Sequence, residues 1–174
     1  MSGNQHPSVT DAPVETSAAC PSGQAPVFEP VKGERSLLLH ICCGPCSIMP
    51  VKRLQDEGFT VTAWYMNPNI QPLTEYLRRR EAAEECAARL GIGLICQDDT
   101  WDLVAWLRSV AGRDLPPQRC AWCCGSRMQA AVAYAHANGY AHVSSSLLYS
   151  RYQPHDVLRA AGEHAAAAEG APLS

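Results

Sequence analysis

The sequence has no long hydrophobic run. No apolar stretch approaches the roughly 20 residues that span a bilayer, and the start, MSGNQHPSVT, lacks the basic residues and apolar core of a signal peptide. We therefore expect a soluble, cytoplasmic protein with no membrane partner. Positive charge is not in excess either, because 14 Lys and Arg face 17 Asp and Glu, a net charge of −3. This balance gives no support to a general nucleic-acid binder, so any RNA partner would need a local patch.

Cysteine is abundant, and its placement is uneven. The chain has nine cysteines, an odd number, and thiols in a cytoplasmic protein stay reduced. Six of them fall in two short windows, HICCGPCS and RCAWCCGS, which is typical of metal binding or redox chemistry. The other three are Cys20, expected to have no role, and Cys86 and Cys96, expected to be core residues.

The chain divides into a tail and one domain. Residues 1–33 are rich in Pro, Ser, Gly and Ala and predict a disordered tail. Residues 34–174 then alternate apolar strand-like runs with helical segments and predict a single α/β domain. The predicted strands are 37–41, 59–66, 92–97 and 141–149, and the predicted helices are 46–58, 73–91, 99–112, 120–139 and 155–170. Thr74 is a plausible N-cap, Gly91 a terminal glycine, and Gly125 an interruption in the fourth helix.

This alternation predicts the fold class. Strands separated by helices form βαβ units with right-handed crossovers, so we expect a Rossmann-like (HUP-type) parallel sheet of about four to five strands flanked by helices. Ligands in such folds bind beyond the carboxyl ends of the strands. Cys42 and Cys43, the NPN segment, the acids of QDDTWD and the SRYQ segment would then share one rim.

The two cysteine windows can supply four thiolates to one metal centre. A Cys-x-x-Cys on a helix brings two sulfurs together, and Cys120 can pair with either Cys123 or Cys124. The adjacent pair Cys42–Cys43 can do the same only at a turn, which the following Gly-Pro supplies. Four thiolates suit zinc or an iron–sulfur cluster.

Two other interpretations stay open. Cys43 and Cys46 have the spacing of a thioredoxin-like dithiol at a helix start, although this leaves Cys42 and the second window without a role. The chain could also be a non-catalytic module that binds zinc or a cluster. Cys46 itself is either a reactive thiol or a packed residue.

Several segments together resemble one family. LHICCGPCS, YMNPNIQPLTEYLRRRE, RCAWCCGSRM and SSSLLYSRYQPHDVLRAAGE are similar, in order and spacing, to the cobalamin-independent epoxyqueuosine reductases (QueH). The resemblance implies reduction of an epoxide to an alkene on a modified guanine in a tRNA anticodon loop, the last step of queuosine synthesis. It also implies a 4Fe–4S cluster bound by Cys42, Cys43, Cys120 and Cys123, a tRNA partner carrying epoxyqueuosine, and an unidentified electron donor.

The family also implies a feature beyond this chain. Its members continue to a segment with a redox-active cysteine pair, whereas this sequence ends at EGAPLS. We therefore expect either a C-terminally truncated chain or an alternative electron route, for example through Cys46 or Cys124.

The expected rim suggests roles for its polar side chains. Reducing an epoxide to an alkene needs a proton donor, for which Asp102 is the candidate, with Asp98 and Asp99 close by; helix capping explains the same acids. The candidate substrate-binding residues are Asn67, Asn69, Tyr76, Tyr152 and Gln153. The basic run 78–80 either contacts tRNA phosphates or is a helix face paired with nearby glutamates, and His40 is expected to be a core residue.

Overall fold

The computed structural model describes residues 32–113 and 115–169. The predicted disordered tail, with Cys20, lies outside the described residues except for its last two positions. The strands are β1 (Gly33–Ile41), β2 (Thr60–Tyr65), β3 (Gly93–Cys96) and β4 (Tyr140–Ser145). The α-helices are α1 (Gly44–Asp56), α2 (Leu73–Leu90), α3 (Leu103–Val110), α4 (Pro116–Ala137) and α5 (His155–Glu169). Short 3-10 helices occupy Asp98–Thr100 and Ser146–Tyr149.

The four strands form one parallel sheet in the order β3-β2-β1-β4. The predicted fold class is therefore confirmed. The run LLLHI lies in the centre of the sheet and is buried on both faces, as expected of a strand in a parallel sheet covered by helices. Leu37 and Leu39 contact a core that includes Val51 of α1 and Ala83 of α2, whereas Leu38 contacts a second core on the opposite face, with residues of α4 and α5.

The start of α2 differs from the prediction. The N-cap is Pro72, which makes no side-chain capping bond, and Thr74 lies inside the first turn, so the predicted Thr74 cap is wrong. The Pro72 carbonyl accepts hydrogen bonds from the backbone N–H groups of Glu75 and Tyr76, and this starts the helix earlier. The predicted end is confirmed, because Gly91 adopts the left-handed conformation (φ 66°, ψ 32°) that glycine tolerates.

The cysteine-bearing helix α4 is continuous. Gly125 does not interrupt it, contrary to the prediction, and the helix starts at Pro116, inside the predicted loop. Proline suits the first turn of a helix because its missing N–H would have no partner there. An isolated helix loses about 1 kcal/mol at an internal glycine, but α4 is held by packing against α5, where a Cβ on Gly125 would lie 3.7 Å from the Ala161 Cβ. The cysteines of the second window therefore lie within the helix, beyond its first turn.

Within residues 32–113 and 115–169, no helix combines the length and the apolar character that crossing a bilayer requires.

Candidate metal and substrate site

The carboxyl ends of β1 and β2 are tied together by a buried amide. Asn67 follows β2, is fully buried, and its Nδ2 donates a 2.9 Å hydrogen bond to the carbonyl of Ile41, the last residue of β1. Cys42 and Cys43 come directly after Ile41. The loop after β2 and the cysteine doublet are therefore neighbours at the predicted rim of the sheet.

The first cysteine window forms a compact thiol group. The Sγ atoms of Cys42, Cys43 and Cys46 all lie within 4.8 Å of one another, and those of Cys42 and Cys43 are 3.9 Å apart. Thiolates that share one tetrahedral zinc ion are about 3.8 Å apart, given Zn–S bonds of about 2.3 Å. The spacing therefore suits sulfurs that bind a common metal centre. Cys120 and Cys123 are not members of this group.

Cys43 is the cysteine of this group whose pKa is lowered. The Cys42 thiol donates a hydrogen bond to the Cys43 sulfur, which lowers the pKa of Cys43 to about 5 although burial opposes the shift. The same hydrogen bond and burial raise the pKa of Cys42, and burial raises that of Cys46. Cys43 is also the N-cap of α1, where the helix dipole favours negative charge.

The second cysteine window lines a pocket of about 440 Å³. Three helical cysteines of α4 face this pocket together with side chains of α3, of the loop after β2, and of the segment after β4. The lining residues are Asn69, Gln71, Trp106, Leu107, Val110, Arg119, Cys120, Cys123, Cys124, Arg127 and Gln153. The pocket thus combines thiols, amides, an indole and two guanidinium groups.

Arg127 lies buried against the cysteines of the pocket. Its Nε donates to the Cys123 carbonyl at 2.9 Å, and its Nη2 lies 3.8 Å from the Cys124 Sγ. The Cys124 Sγ is also 3.8 Å from the Gln153 Oε1. Burial raises the pKa of both Cys123 and Cys124, and the positive charge of Arg127 opposes that shift.

A small apolar cluster connects the two windows. Cys124, Met128, Leu147 and Leu158 form a buried cluster, and Cys42 packs against it. The hydroxyl of Ser146 lies 4.0 Å from the Cys42 Sγ. One cysteine of each window therefore borders the same cluster, although the two thiol groups are built on elements far apart in the sequence.

The predicted substrate-binding residues occupy different surroundings. Asn69 and Gln153 line the pocket, whereas Asn67 is buried in its bond to β1. Tyr76 is buried among Tyr65 and Trp101, and its hydroxyl donates to Asp98 Oδ1 at 2.7 Å. Tyr152 is 79% exposed, with the Arg151 guanidinium 4.8 Å above its ring.

Asp102 caps α3. Its carboxylate accepts hydrogen bonds from the backbone N–H groups of Val104 at 2.8 Å and Ala105 at 3.0 Å, and the residue is exposed. The helix that it caps supplies Trp106, Leu107 and Val110 to the pocket wall. Capping, the alternative explanation for this acid, is therefore one role that Asp102 has in the structure.

The basic run of α2 is neutralised by neighbouring acids. Arg78 and Arg79 each pair with Glu75 at 2.7 Å. Arg80 pairs with Glu84 at 3.1 Å and with Asp98 at 3.0 Å. Of the two interpretations of this run, the paired helix face is the arrangement that the structure contains.

His40 is a core residue, as predicted. It is fully buried, and its Nε2 lies 3.2 Å from the Met66 carbonyl, which requires a proton on Nε2. Its Nδ1 then accepts from the Ser145 hydroxyl at 2.9 Å. Burial lowers the pKa of His40 to about 3, and the charge of Arg127 contributes to the shift. His40 is therefore a neutral structural residue. Cys86 and Cys96, both half-buried, lie outside the thiol group of the first window.

Six of the residues that line the pocket were not identified from the sequence: Gln71, Trp106, Leu107, Val110, Arg119 and Arg127. Gln71 donates from Nε2 to the Pro68 carbonyl at 3.2 Å, and this directs its Oε1 elsewhere; that oxygen and Asn69 Oδ1 are covered and have no partner among the described residues. Gln71, Arg119 and Arg127 belong to segments that the sequence analysis quoted, NPNIQP and RCAWCCGSRM, whereas Trp106 lies in no such segment.

Comparison with known proteins gives a consistent result. The family model described as epoxyqueuosine reductase QueH matches residues 37–172. The epoxyqueuosine reductase QueH of Histophilus somni is 33% identical over 90% of this chain and 66% of its own length. That of Haemophilus influenzae is 35% identical over 77% of this chain and 55% of its own length, so the chain spans about two thirds or less of these relatives.

The structural comparison is weaker. The crystal structure of an antimicrobial-related pseudoaglycone deacetylase aligns with a TM-score of 0.49 at 14% identity, over 81% of this chain and 62% of that one. The family match covers most of the domain, including both cysteine windows, and the resemblance noted in the sequence is confirmed. The chain belongs to the epoxyqueuosine reductase QueH family.

Proposed function

We propose that this protein is an iron–sulfur oxidoreductase that reduces epoxyqueuosine to queuosine in the tRNA anticodon loop, in the cytoplasm. Family membership supports the reaction class. The observation that carries the proposal is the pocket in which three thiols and a buried cation meet amide groups suited to a polar substrate. A purely structural role would not explain why these groups surround a cavity.

The residues present fit a thiolate-bound cofactor. We propose Cys42, Cys43, Cys120 and Cys123 as the ligands of a 4Fe–4S cluster. The support is that Cys42 packs against the buried apolar cluster that contains Cys124, the neighbour of Cys123. The donor set is rich in sulfur, the ligand that such clusters require. When bound, the cluster would supply electrons one at a time. An unidentified partner would supply those electrons to the protein.

The chain's own residues would bind the substrate and deliver a proton. Removing the epoxide oxygen consumes two electrons and two protons and releases water. Asn69, Gln71 and Gln153 would hydrogen-bond the modified base, and Trp106 would shield it from water. Asp102 is the proposed proton donor, because it begins the helix that forms one pocket wall. Asn67 and Tyr76 would support this arrangement by holding the rim, and Tyr152 would contact the substrate from the exposed side.

The tRNA would be bound by arginines that lack carboxylate partners. Among the ion pairs of the described residues, none involves Arg119, Arg113 or Arg151. Arg119 lines the pocket, Arg113 lies 4.5 Å above the Trp122 ring, and Arg151 covers Tyr152. Aromatic and guanidinium groups stack on the unpaired bases of RNA loops.

Anaerobic purification followed by a single-turnover assay tests the proposal. We expect a brown protein with about four irons per chain that, reduced with dithionite, converts epoxyqueuosine-containing tRNA to queuosine-containing tRNA. Nucleoside mass spectrometry after digestion measures the conversion. The matched variants are Cys120→Ser with Cys123→Ser, and Cys86→Ser as the control. A colourless wild-type protein without iron would refute the cofactor assignment, and an iron-loaded protein without conversion would refute the substrate.

A dithiol oxidoreductase is the second candidate. It is favoured by the lowered pKa of Cys43 at a helix N-terminus and by Cys46 within 4.8 Å of it. This function predicts that metal-free protein reduces a disulfide substrate and that Cys46→Ser abolishes the reaction. Metal-free protein that is inert toward disulfides eliminates it.

A non-catalytic metal module is the third candidate. The compact spacing of Cys42, Cys43 and Cys46 would suit a single zinc ion. Elemental analysis distinguishes this case, since it predicts one zinc per chain, no iron, and no conversion of the modified tRNA.

A further inference from the structure

Arg127 is a buried cation without a carboxylate partner. The residue is 6% exposed, and none of the ion pairs among residues 32–113 and 115–169 includes it. Its hydrogen-bond partners are the Cys123 carbonyl and the Cys124 sulfur. A buried charge is costly unless an opposite charge or several hydrogen bonds compensate it. The fold therefore tolerates a positive charge whose compensation is incomplete.

The surroundings of Arg127 show what kind of anion could compensate it. The residues that line the pocket include no Asp or Glu, and their acidic groups are the thiols of Cys120, Cys123 and Cys124. The guanidinium of Arg127 contacts two of the α4 cysteines directly, through the Cys123 carbonyl and the Cys124 sulfur.

We propose that Arg127 is a positioning residue that provides the counter-charge for a thiolate-bound iron–sulfur centre and thereby raises its reduction potential. The inference rests on the proposed function. A cluster bound by four thiolates is negatively charged, and reduction adds one more negative charge. A nearby cation in a medium of low dielectric constant stabilises the reduced form more than the oxidised form. Arg127 would then help both to retain the cluster and to make it reducible.

Arg119 is the natural control for this role. It lies on the same helix and lines the same pocket, but it is exposed to solvent. Water and salt screen an exposed charge, whereas a buried one is screened much less. Neutralising Arg119 should therefore change the cluster little, even though the change in formal charge is identical.

The experiment is an anaerobic redox titration of the full chain with its cluster, followed by visible and electron paramagnetic resonance spectra. The variants are Arg127→Met, Arg127→Gln, Arg127→Lys and Arg119→Met, each checked for folding by circular dichroism. At the wild-type midpoint, we expect the ratio of reduced to oxidised cluster to fall at least about tenfold in Arg127→Met, equivalent to about 59 mV for one electron. The ratio should fall by a similar factor in Arg127→Gln, which keeps hydrogen-bond donors without the charge. In Arg127→Lys and Arg119→Met the ratio should stay near the wild-type value.

Several outcomes distinguish the possibilities. If Arg127→Met and Arg127→Gln lose iron while Arg127→Lys keeps its cluster, the result supports the counter-charge role, because only the variants without the positive charge are affected. A wild-type potential in Arg127→Met or Arg127→Gln would overturn it, and so would an equal fall in Arg127→Lys, because the guanidinium hydrogen bonds would then be responsible. A wild-type protein that binds no cluster refutes the proposed function, and with it this inference, before any variant is made.

Discussion

Gly44 allows α1 to approach α2 closely, and this gives a sharp test of the structure. A Cβ built on Gly44 would lie 2.2 Å from the Ala82 carbonyl oxygen and 2.8 Å from its carbon. Both atoms belong to the backbone of α2, so no side-chain rotation can relieve the overlap. Because Gly44 lies between Cys43 and Cys46, separating the helices would also disturb the thiol group.

The size of the effect follows from two opposing terms. Overfilling a packed interior costs about 1–3 kcal/mol, and contact with backbone atoms places Gly44→Ala at the upper end of that range. Replacing glycine by alanine in a helix recovers at most about 1 kcal/mol. We therefore expect the free energy of unfolding to fall by about 2 kcal/mol, which lowers Tm by roughly 4–8 °C in a chain of this size.

Gly125→Ala is the matched control. Gly125 also lies within a helix, but a Cβ there would meet only the Ala161 Cβ at 3.7 Å, an ordinary contact. This variant should gain up to about 1 kcal/mol from helix propensity. The two alanine substitutions are thus expected to change stability in opposite directions.

Urea unfolding followed by circular dichroism measures both free energies, and metal content reports on the thiol group. Equal or greater stability of Gly44→Ala relative to wild type would refute the close approach of α1 and α2. A destabilised Gly125→Ala would instead refute the argument that α4 is continuous and has room for a methyl group at that residue.

Three further predictions follow from the site. Asp102→Asn keeps a residue that can cap α3, so the free energy of unfolding should change by less than about 0.5 kcal/mol. If Asp102 supplies the proton, turnover of epoxyqueuosine-containing tRNA should fall at least about 100-fold. Full turnover in this variant would remove Asp102 from the mechanism. Cys120→Ser with Cys123→Ser should abolish iron binding, measured as iron per chain, whereas Cys96→Ser should leave it unchanged; iron retained by the double variant would contradict the ligand assignment. Arg78→Ala with Arg79→Ala should leave tRNA affinity nearly unchanged in filter binding, because both guanidinium groups are already paired with Glu75. In contrast, Arg119→Ala with Arg151→Ala should weaken binding and reduce the salt slope by about one per lost phosphate contact. The opposite order would show that the α2 face binds the RNA.

The alternation of elements was predictable because it depends on local composition. The apolar run 37–41 could be buried only as a central strand, and the helices between strands leave a parallel sheet as the simplest topology. The two cysteine windows were equally visible, because clustered cysteines are typical of a metal or redox role. The pairing of Arg78 and Arg79 with Glu75 was one of the two interpretations of that run, since i,i+3 and i,i+4 neighbours share a helix face.

The start of α2 and the continuity of α4 were not predictable in the same way. Thr74 is a good capping residue, but the N-cap of α2 is Pro72, whose carbonyl accepts the first hydrogen bonds of the helix. Gly125 lowers the intrinsic stability of α4, yet packing against α5 holds the helix together. In both cases the competing contact is not encoded in the propensity of the residue concerned.

The pocket is the clearest case of a feature that no local pattern contains. The sequence limits the candidate ligands to a few cysteines and predicts the edge of the sheet where the first window lies, because strand direction and turn chemistry are local properties. The burial of Arg127 and the entry of Gln71 and Trp106 into the pocket wall arise where α3, α4 and the loop after β2 meet. Such contacts join residues distant in the chain, and their energies depend on how whole elements pack, so they exist only in the folded molecule.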